Sequence, residues 1–343
     1  MSPSRLRGGL PSRSTLHQSA DVHRSLGAKL QRWIHRPQPA RLAQALSVPV
    51  GAFYARRLRG RNAEPPTVPT VVVGDLGFGG AGKTAVVAHL ARALARRRRV
   101  AIVGHGYGGC VRAPERVTAT DVQRYGDEAS ALFRALGQSC AIWVGRDRSQ
   151  TSASAGRDAD VVIIDRGLGD PRLSRTVDVV VVDGGASTQV FPAGPLRAPI
   201  SAASSAALRW INHSPVGADP PAGSVCSRYR VDAVELPGGR RVDPTWLAGR
   251  HVVTLCGVAK PDSFYDALID AGAHLAGGLE VADHRYFSPR ALERLPRERP
   301  WVTTAKDRER LPARFPVTVV HAALEIVAGH GLLDALYYQL EGP

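Results

Sequence analysis

The sequence predicts an α/β protein, a mostly parallel sheet flanked by helices with a second, smaller α/β unit behind it. Three observations lead there. Short, continuous apolar runs rich in Val and Ile recur between residues 70 and 183, the pattern of strands buried on both faces. Segments of helical periodicity separate them, as the crossovers of parallel strands require. A second series of the same kind starts at residue 251, and 343 residues suffice for two such units.

In chain order, residues 1–35 are polar, basic and rich in Ser, Arg and Gly, a composition that predicts poor order. Between Arg41 and Arg61, Leu42, Leu46, Val50 and Phe53 recur at helical spacing beside Tyr54, with arginines at both ends. The pattern allows a basic amphipathic helix on an anionic bilayer. It equally allows an ordinary helix packed on the domain and ended or kinked at Pro49. The run from Thr70 to Asp75 is a strand. Lys83 to Arg99 follows as a helix with Val86, Leu90, Ala93 and Leu94 on one stripe, its Arg96–Arg99 end complementing the helix dipole. Further strands are expected at Val100–Gly104, Ala141–Gly145, Val161–Asp165 and Val177–Asp183, with a helix after Gly126-Asp127-Glu128. Residues 184–225 read as a long loop region. The second unit has strands at His251–Gly257, Trp301–Ala305 and Val317–His321, a helix at Asp262–Ala271 and a last helix at Leu332–Leu340. This divides the chain into a domain of residues 36–245 and a smaller one of 246–343, whose last helix is free to fold back on the first.

Gly77 to Thr84 fit G-x-x-x-x-G-K-[ST] between a buried strand and a helix, so the fold class sharpens to P-loop NTPase-like. Each part has a physical reason. Gly77, Gly79, Gly80, Ala81 and Gly82 let backbone N–H groups approach an anion with no bulk in the way. The helix N-terminus adds partial positive charge. Lys83 reaches the outer phosphates, and the Thr84 hydroxyl suits Mg²⁺. Ligands of such sheets lie at the carboxyl ends of the strands. Asp75, His105, Asp127, Asp165 and Asp183 fall there, Asp165 in the place of a metal-supporting acid; any one of them alone reads equally well as a cap or turn residue.

Composition narrows the partners. Lys and Arg number 45 against 30 Asp and Glu, a net charge of +15 that points to an anionic partner: nucleic acid, a membrane or a phosphorylated substrate. No interleaving of aromatic and basic residues of the kind single-strand binders use is seen, so no nucleic acid is expected. The four cysteines are far apart in sequence, which fits a reducing compartment better than a zinc site or disulfide framework. No stretch has the length and apolarity of a secretory h-region at Met1–Leu30, or of a membrane span anywhere.

Taken together, the motifs resemble one family, the tetraacyldisaccharide 4′-kinases that phosphorylate the lipid A precursor, from about Leu42 to Leu340. The markers, in order, are Tyr54-Ala55-Arg56-Arg57, VVVGDLGFGGAGKT, GYGG at 106–109, GDE at 126–128 and VGRDR at 144–148. They continue with IID-x-GL at 163–168, PRLSR at 171–175, FPAGPLR at 191–197, DHRYF at 283–287 and VTTAKDRERL at 302–311. The resemblance implies two α/β domains with the active site in the cleft between them, and transfer of the γ-phosphate of ATP to the 4′-hydroxyl of a tetraacyldisaccharide 1-phosphate. It implies ATP and Mg²⁺ at Lys83 and Thr84, Asp165 as a metal acid, and an Asp127–His284 dyad that activates the acceptor hydroxyl. It favours the membrane reading of the Arg41–Arg61 helix and a peripheral place on the cytoplasmic face of the inner membrane. The sequence departs from the family where the metal would sit. The family's D-D-G-[LF]-Q-H reads Asp165-Arg166-Gly167-Leu168-Gly169-Asp170, a glutamate becomes Ala198, and the arginine before GYGG becomes His105. His105, Arg166 and Arg197 are candidate substrate or transition-state contacts, Arg166 in the manner of an arginine finger. The departures also admit a nucleotide-binding paralogue with altered or lost kinase activity.

Overall fold

The structure is a computed structural model that describes residues 41–59, 64–202, 208–214, 221–258, 260–282 and 285–342. The expectation for residues 1–35 lies outside them.

The first half forms as its pattern dictates. Its strands in chain order are β1 (Thr70–Asp75), β2 (Val100–Gly104), β3 (Glu115–Arg116), β4 (Cys140–Val144), β5 (Val161–Asp165), β6 (Val177–Asp183), β7 (Leu208–Asn212) and β8 (Ser224–Glu235). All six residues of β1 are buried because it lies at the centre, parallel to β5 on one side and β6 on the other. Successive side chains of a strand point to opposite faces. Val71 and Val73 thus enter one core with Leu90 and Leu94 of helix α2 (Lys83–Leu94), while Val72 enters the other with Val103, Ile164 and Ala155. Helix α3 (Asp127–Leu136) covers the first face through Leu132 and Leu136, and α4 (Arg148–Ala155) covers the second through Ala155.

The remaining strands are β9 (Arg241–Val242), β10 (His251–Cys256), β11 (His274–Glu280), β12 (Trp301–Thr304) and β13 (Thr318–Ala328). All thirteen belong to one sheet, ordered β11-β10-β12-β13-β8-β7-β6-β1-β5-β2-β4-β3, with β9 on β8. Its pairs are parallel except β3–β4, β8–β9 and the long β8–β13 ribbon, in which Val234 faces Val320 and Arg230 faces Ala323. That ribbon joins the two halves. Helix α5 (Pro261–Asp270) buries Phe264, Ala267 and Leu268 against the second half, and α6 (His330–Glu341) puts Leu333, Leu336 and Leu340 into the core of the first.

Several elements differ from expectation. The region 184–225 contains β7, whose Trp210 is fully buried, and β8 and β11 were not foreseen. Helix α2 stops at Leu94, before the arginine run. Helix α1 (Arg41–Arg59) runs through Pro49, which lies on its exposed side. It rests on the domain through Ala55 and, more loosely, Tyr54 and Leu58, against Leu76, Val180 and Ala198. Most of its apolar stripe faces outward instead: Leu42, Leu46 and Phe53 are 71%, 50% and 63% exposed, while Val50 is half-buried.

Candidate active site

Between β1 and α2 the backbone turns sharply. Gly82 caps the helix at φ 81°, and a Cβ there would lie 2.0 Å from the Asn212 amide nitrogen, so only glycine fits. No side chain caps α2, which leaves its first-turn N–H groups to face an anion. Lys83 is buried in an ion pair with Asp75, the last residue of β1. Arg197 donates to the Asp75 carbonyl and to Oδ1, both at 3.3 Å, and its guanidinium lies 6.0 Å from the Phe78 ring. Phe191 meets Phe78 edge-on at 5.4 Å, and Arg197 N–H donates to Leu76 O at 2.6 Å. The FPAGPLR segment is therefore a prop beside the phosphate loop.

On the other side of the loop, Thr84 Oγ1 donates to Asp165 Oδ2 at 3.2 Å. Asp165 ends β5 and is buried, and its Oδ1 finds no hydrogen-bond donor. Burial first, then the charge of Glu128, lifts its carboxyl to about 6 against the opposing pull of Arg166, Lys83 and Thr84. An orphaned carboxylate oxygen beside a hydroxyl is an oxygen-only donor pair, the chemistry of a hard cation such as Mg²⁺. No cluster of three or more His, Cys, Asp or Glu able to hold a metal occurs among the described residues. An ion at this site would be held by one or two carboxylates and shared with phosphates.

A pocket of about 240 Å³ opens beside Asp165, lined among others by His105, Tyr107, Glu128, Arg148 and Arg166. Arg166 sits in a left-handed conformation, φ 64°, fixed by its N–H bond to Val73 O at 2.9 Å. Its Nη2 donates to Glu128 Oε1 at 2.6 Å. Arg148 is held below the usual guanidinium value by burial, and its Nε has no partner. Burial, then the charges of Arg148, Arg146 and Arg166, pushes His105 below its ordinary value, so its imidazole is neutral at neutral pH.

Asp127 is the first residue of α3 and is buried; its Oδ1 accepts from Glu128 N–H at 3.0 Å. Lys306 reaches it from the second half, its Nζ 3.9 Å from Asp127 Oδ2 and 3.8 Å from Glu128 Oε1. Three residues on, Glu309 pairs with Arg134 of α3. The same segment is anchored inward. Asp307 accepts from Gly257 N–H at 3.0 Å and Thr304 Oγ1 at 2.9 Å, while Arg310 donates to Gly257 O at 2.8 Å and Arg285 O at 3.2 Å. Arg310 thus holds the residue after His284. His284 itself lies outside the described residues.

The structure brings together Lys83, Thr84, Asp165, Arg166 and His105 of the expected residues, with Asp127 joined through Glu128 and Lys306. Arg197 stands on the far side of the loop, at Asp75. Asp183 belongs elsewhere, on Lys260 and His213. Sequence reasoning gave no role to Glu128, Arg148 or Lys306, and placed Asp75 only among the acids at the strand ends. The first three lay inside the quoted motifs GDE, VGRDR and VTTAKDRERL, which was the available signal.

A strand, a glycine loop with an invading lysine, and a strand-end acid on the loop's threonine define a P-loop α/β protein laid out as a phosphotransferase. The chain belongs to the tetraacyldisaccharide-1-P 4′-kinase family, whose model matches residues 40–340. It is 36% identical to the tetraacyldisaccharide 4′-kinase of Methylobacterium nodulans over 83% of this chain and 87% of that one. With the kinase of Gluconobacter oxydans it shares 32% identity over 88% and 96% of the two chains. Its fold matches that of LpxK from Aquifex aeolicus, solved in complex with ATP, at a TM-score of 0.69 and 20% identity, covering 87% of this chain and 97% of the other. As a member of this family the protein is a lipid A kinase.

Proposed function

We propose that this chain transfers the γ-phosphate of ATP to the 4′-hydroxyl of a tetraacyldisaccharide 1-phosphate. The observation that carries the reading is an unbroken run of contacts from the phosphate loop to Asp127, through Thr84, Asp165, Arg166, Glu128 and Lys306. Nucleotide and acceptor sides of one reaction are thereby joined.

The loop glycines and the α2 N-terminus hold the β- and γ-phosphates, and Lys83 exchanges Asp75 for phosphate oxygens. Mg²⁺ held through Asp165 and the Thr84 hydroxyl would neutralise charge on the phosphates. Asp127, with His284, takes the proton of the sugar hydroxyl as the bond to phosphorus forms, since an alcohol at neutral pH is a poor nucleophile. Arg310 holds Arg285, the next residue in the chain, by its bond to the Arg285 carbonyl. Helix α1 lies on the anionic cytoplasmic face of the inner membrane, with Leu42, Leu46 and Phe53 inserted and Arg41, Arg56 and Arg57 toward headgroups. Net charge and exposed stripe support that placement, and no helix among the described residues is long and apolar enough to cross a membrane.

The test is transfer of labelled γ-phosphate from ATP to purified tetraacyldisaccharide 1-phosphate. Label should appear in the lipid with the wild-type chain and not with Lys83→Ala. A wild-type rate equal to that of the variant, across several divalent metals, rejects the activity.

A further inference from the structure

We propose that the Arg166 guanidinium binds the terminal phosphate of the bound nucleotide. The inference rests on the ATP-dependent kinase reading and adds a contact to it.

Placement comes first. Arg166 directly follows Asp165, whose Oδ2 touches Thr84 of the phosphate loop, and its own guanidinium reaches Glu128, the neighbour of Asp127. It therefore spans the gap between the phosphate loop and the acceptor side, lining the same pocket as Asp165. The anion that crosses this gap during reaction is the phosphoryl group in flight. The lipid's own 1-phosphate is at the other end of the disaccharide from the 4′-hydroxyl, so it does not reach here.

The ion pair between Arg166 and Glu128 is a weak one. The Arg166–Glu128 contact is partly open to solvent, its side chains 41% and 20% exposed, and such pairs add little to stability. The left-handed backbone at Arg166 is a strained conformation for a residue other than glycine. A weak ion pair is poor return for that strain, whereas strain of this kind gathers at working sites. Glu128 also has a second cation close by, Lys306 at 3.8 Å from the same Oε1. When Arg166 turns to phosphate, Glu128 keeps a counter-charge. A planar guanidinium with paired donors suits two phosphate oxygens, and an arginine supplied in cis to the transferring group is a known way to stabilise its charge.

The test compares two nucleotides that differ only at the terminal group: ADP and the non-hydrolysable β,γ-imido analogue of ATP, titrated calorimetrically with Mg²⁺. Arg166→Ala should weaken the analogue by roughly ten- to a hundredfold, the worth of a charged hydrogen bond, and change ADP by less than about twofold. Arg166→Lys should fall between. Glu128→Gln, which removes the competing carboxylate charge, should leave analogue binding intact or tighter. Equal losses for both nucleotides in Arg166→Ala, no loss for either, or a Glu128→Gln variant that behaves like Arg166→Ala overturns the proposal. Wild-type protein that binds neither nucleotide removes the kinase reading itself, a result distinct from selective failure at Arg166.

Discussion

Lys83 and Asp75 form an ion pair inside the phosphate loop with side chains only 7% and 5% exposed, and Arg197 holds the second carboxylate oxygen at 3.3 Å. The acid at the end of β1 thus sets the position of the lysine that meets phosphate. Removing one partner of a buried pair leaves the other without compensation. Asp75→Asn should cost about 3 kcal/mol in urea unfolding. Lys83→Met should cost less, because Arg197 still neutralises Asp75, yet it should abolish phosphate transfer. The reverse order of stabilities would contradict this account.

Asp165 predicts an unusual pH dependence in protein freed of divalent ions by a chelator. Its carboxyl rises from the ordinary 3.8 to about 6 on folding, so the folded protein holds this proton more tightly than the unfolded chain. That contribution is fully present below pH 3.8 and is lost as pH rises through 6. The full span is worth roughly 3 kcal/mol. Thermal unfolding between pH 4.5 and pH 7.5 (chosen, on the order of the two values, to bracket the change) should therefore show falling stability that Asp165→Asn removes. Adding Mg²⁺ should raise the melting temperature of wild type at neutral pH and leave that of Asp165→Asn unchanged.

The opposite sign holds at Asp183. Burial alone would raise its carboxyl, but hydrogen bonds from His213 and from Lys260, the latter at 2.6 and 2.7 Å, bring it down to about 2. Its stabilising contribution is present above pH 3.8 and disappears as pH falls through 2. Lys260 lies just before α5 and Asp183 at the end of β6, so the pair ties the two halves together. Lys260→Ala should cost about 2 kcal/mol and speed amide exchange in both segments, 184–186 and 260–264. Faster exchange on one side only would show that the pair does not couple them.

Helix α1 offers a separation of stability from location. Because Leu42, Leu46 and Phe53 are 50% or more exposed, changing all three to Ser should shift unfolding by only about 1 kcal/mol or less. Sedimentation with vesicles containing anionic lipid should fall strongly, and wild-type binding should weaken as salt rises. Retention of the triple variant on such vesicles would place the contact elsewhere.

The central strands were legible because both their faces are covered, which forces the uninterrupted Val and Ile of β1, β5 and β6. β7 was not, since five residues around Trp210 lie in a stretch dominated by Gly, Ala and Ser. β11 hides for a similar reason: HLAGGLE carries two glycines, and the strand is half-exposed at the edge of the sheet. At the site, the phosphate loop could be read from spacing alone. Lys306 could not, because its relation to Asp127 arises only when the short helix Ala305–Arg308, which follows β12, meets α3 in space. The direction in which α1 turns its leucines was likewise invisible, for periodicity gives a stripe but not the side on which the domain lies.

The place of α6 bears on how the protein is made. Leu333, Leu336 and Leu340, which follow the whole second half in sequence, complete the core around β1 and α2. A ribosome releases the chain from its N-terminal end, so the phosphate-loop half emerges with part of its apolar surface uncovered and waits for the whole of the second half to be translated. Truncation of the chain before α6 should therefore yield aggregate rather than a shortened enzyme.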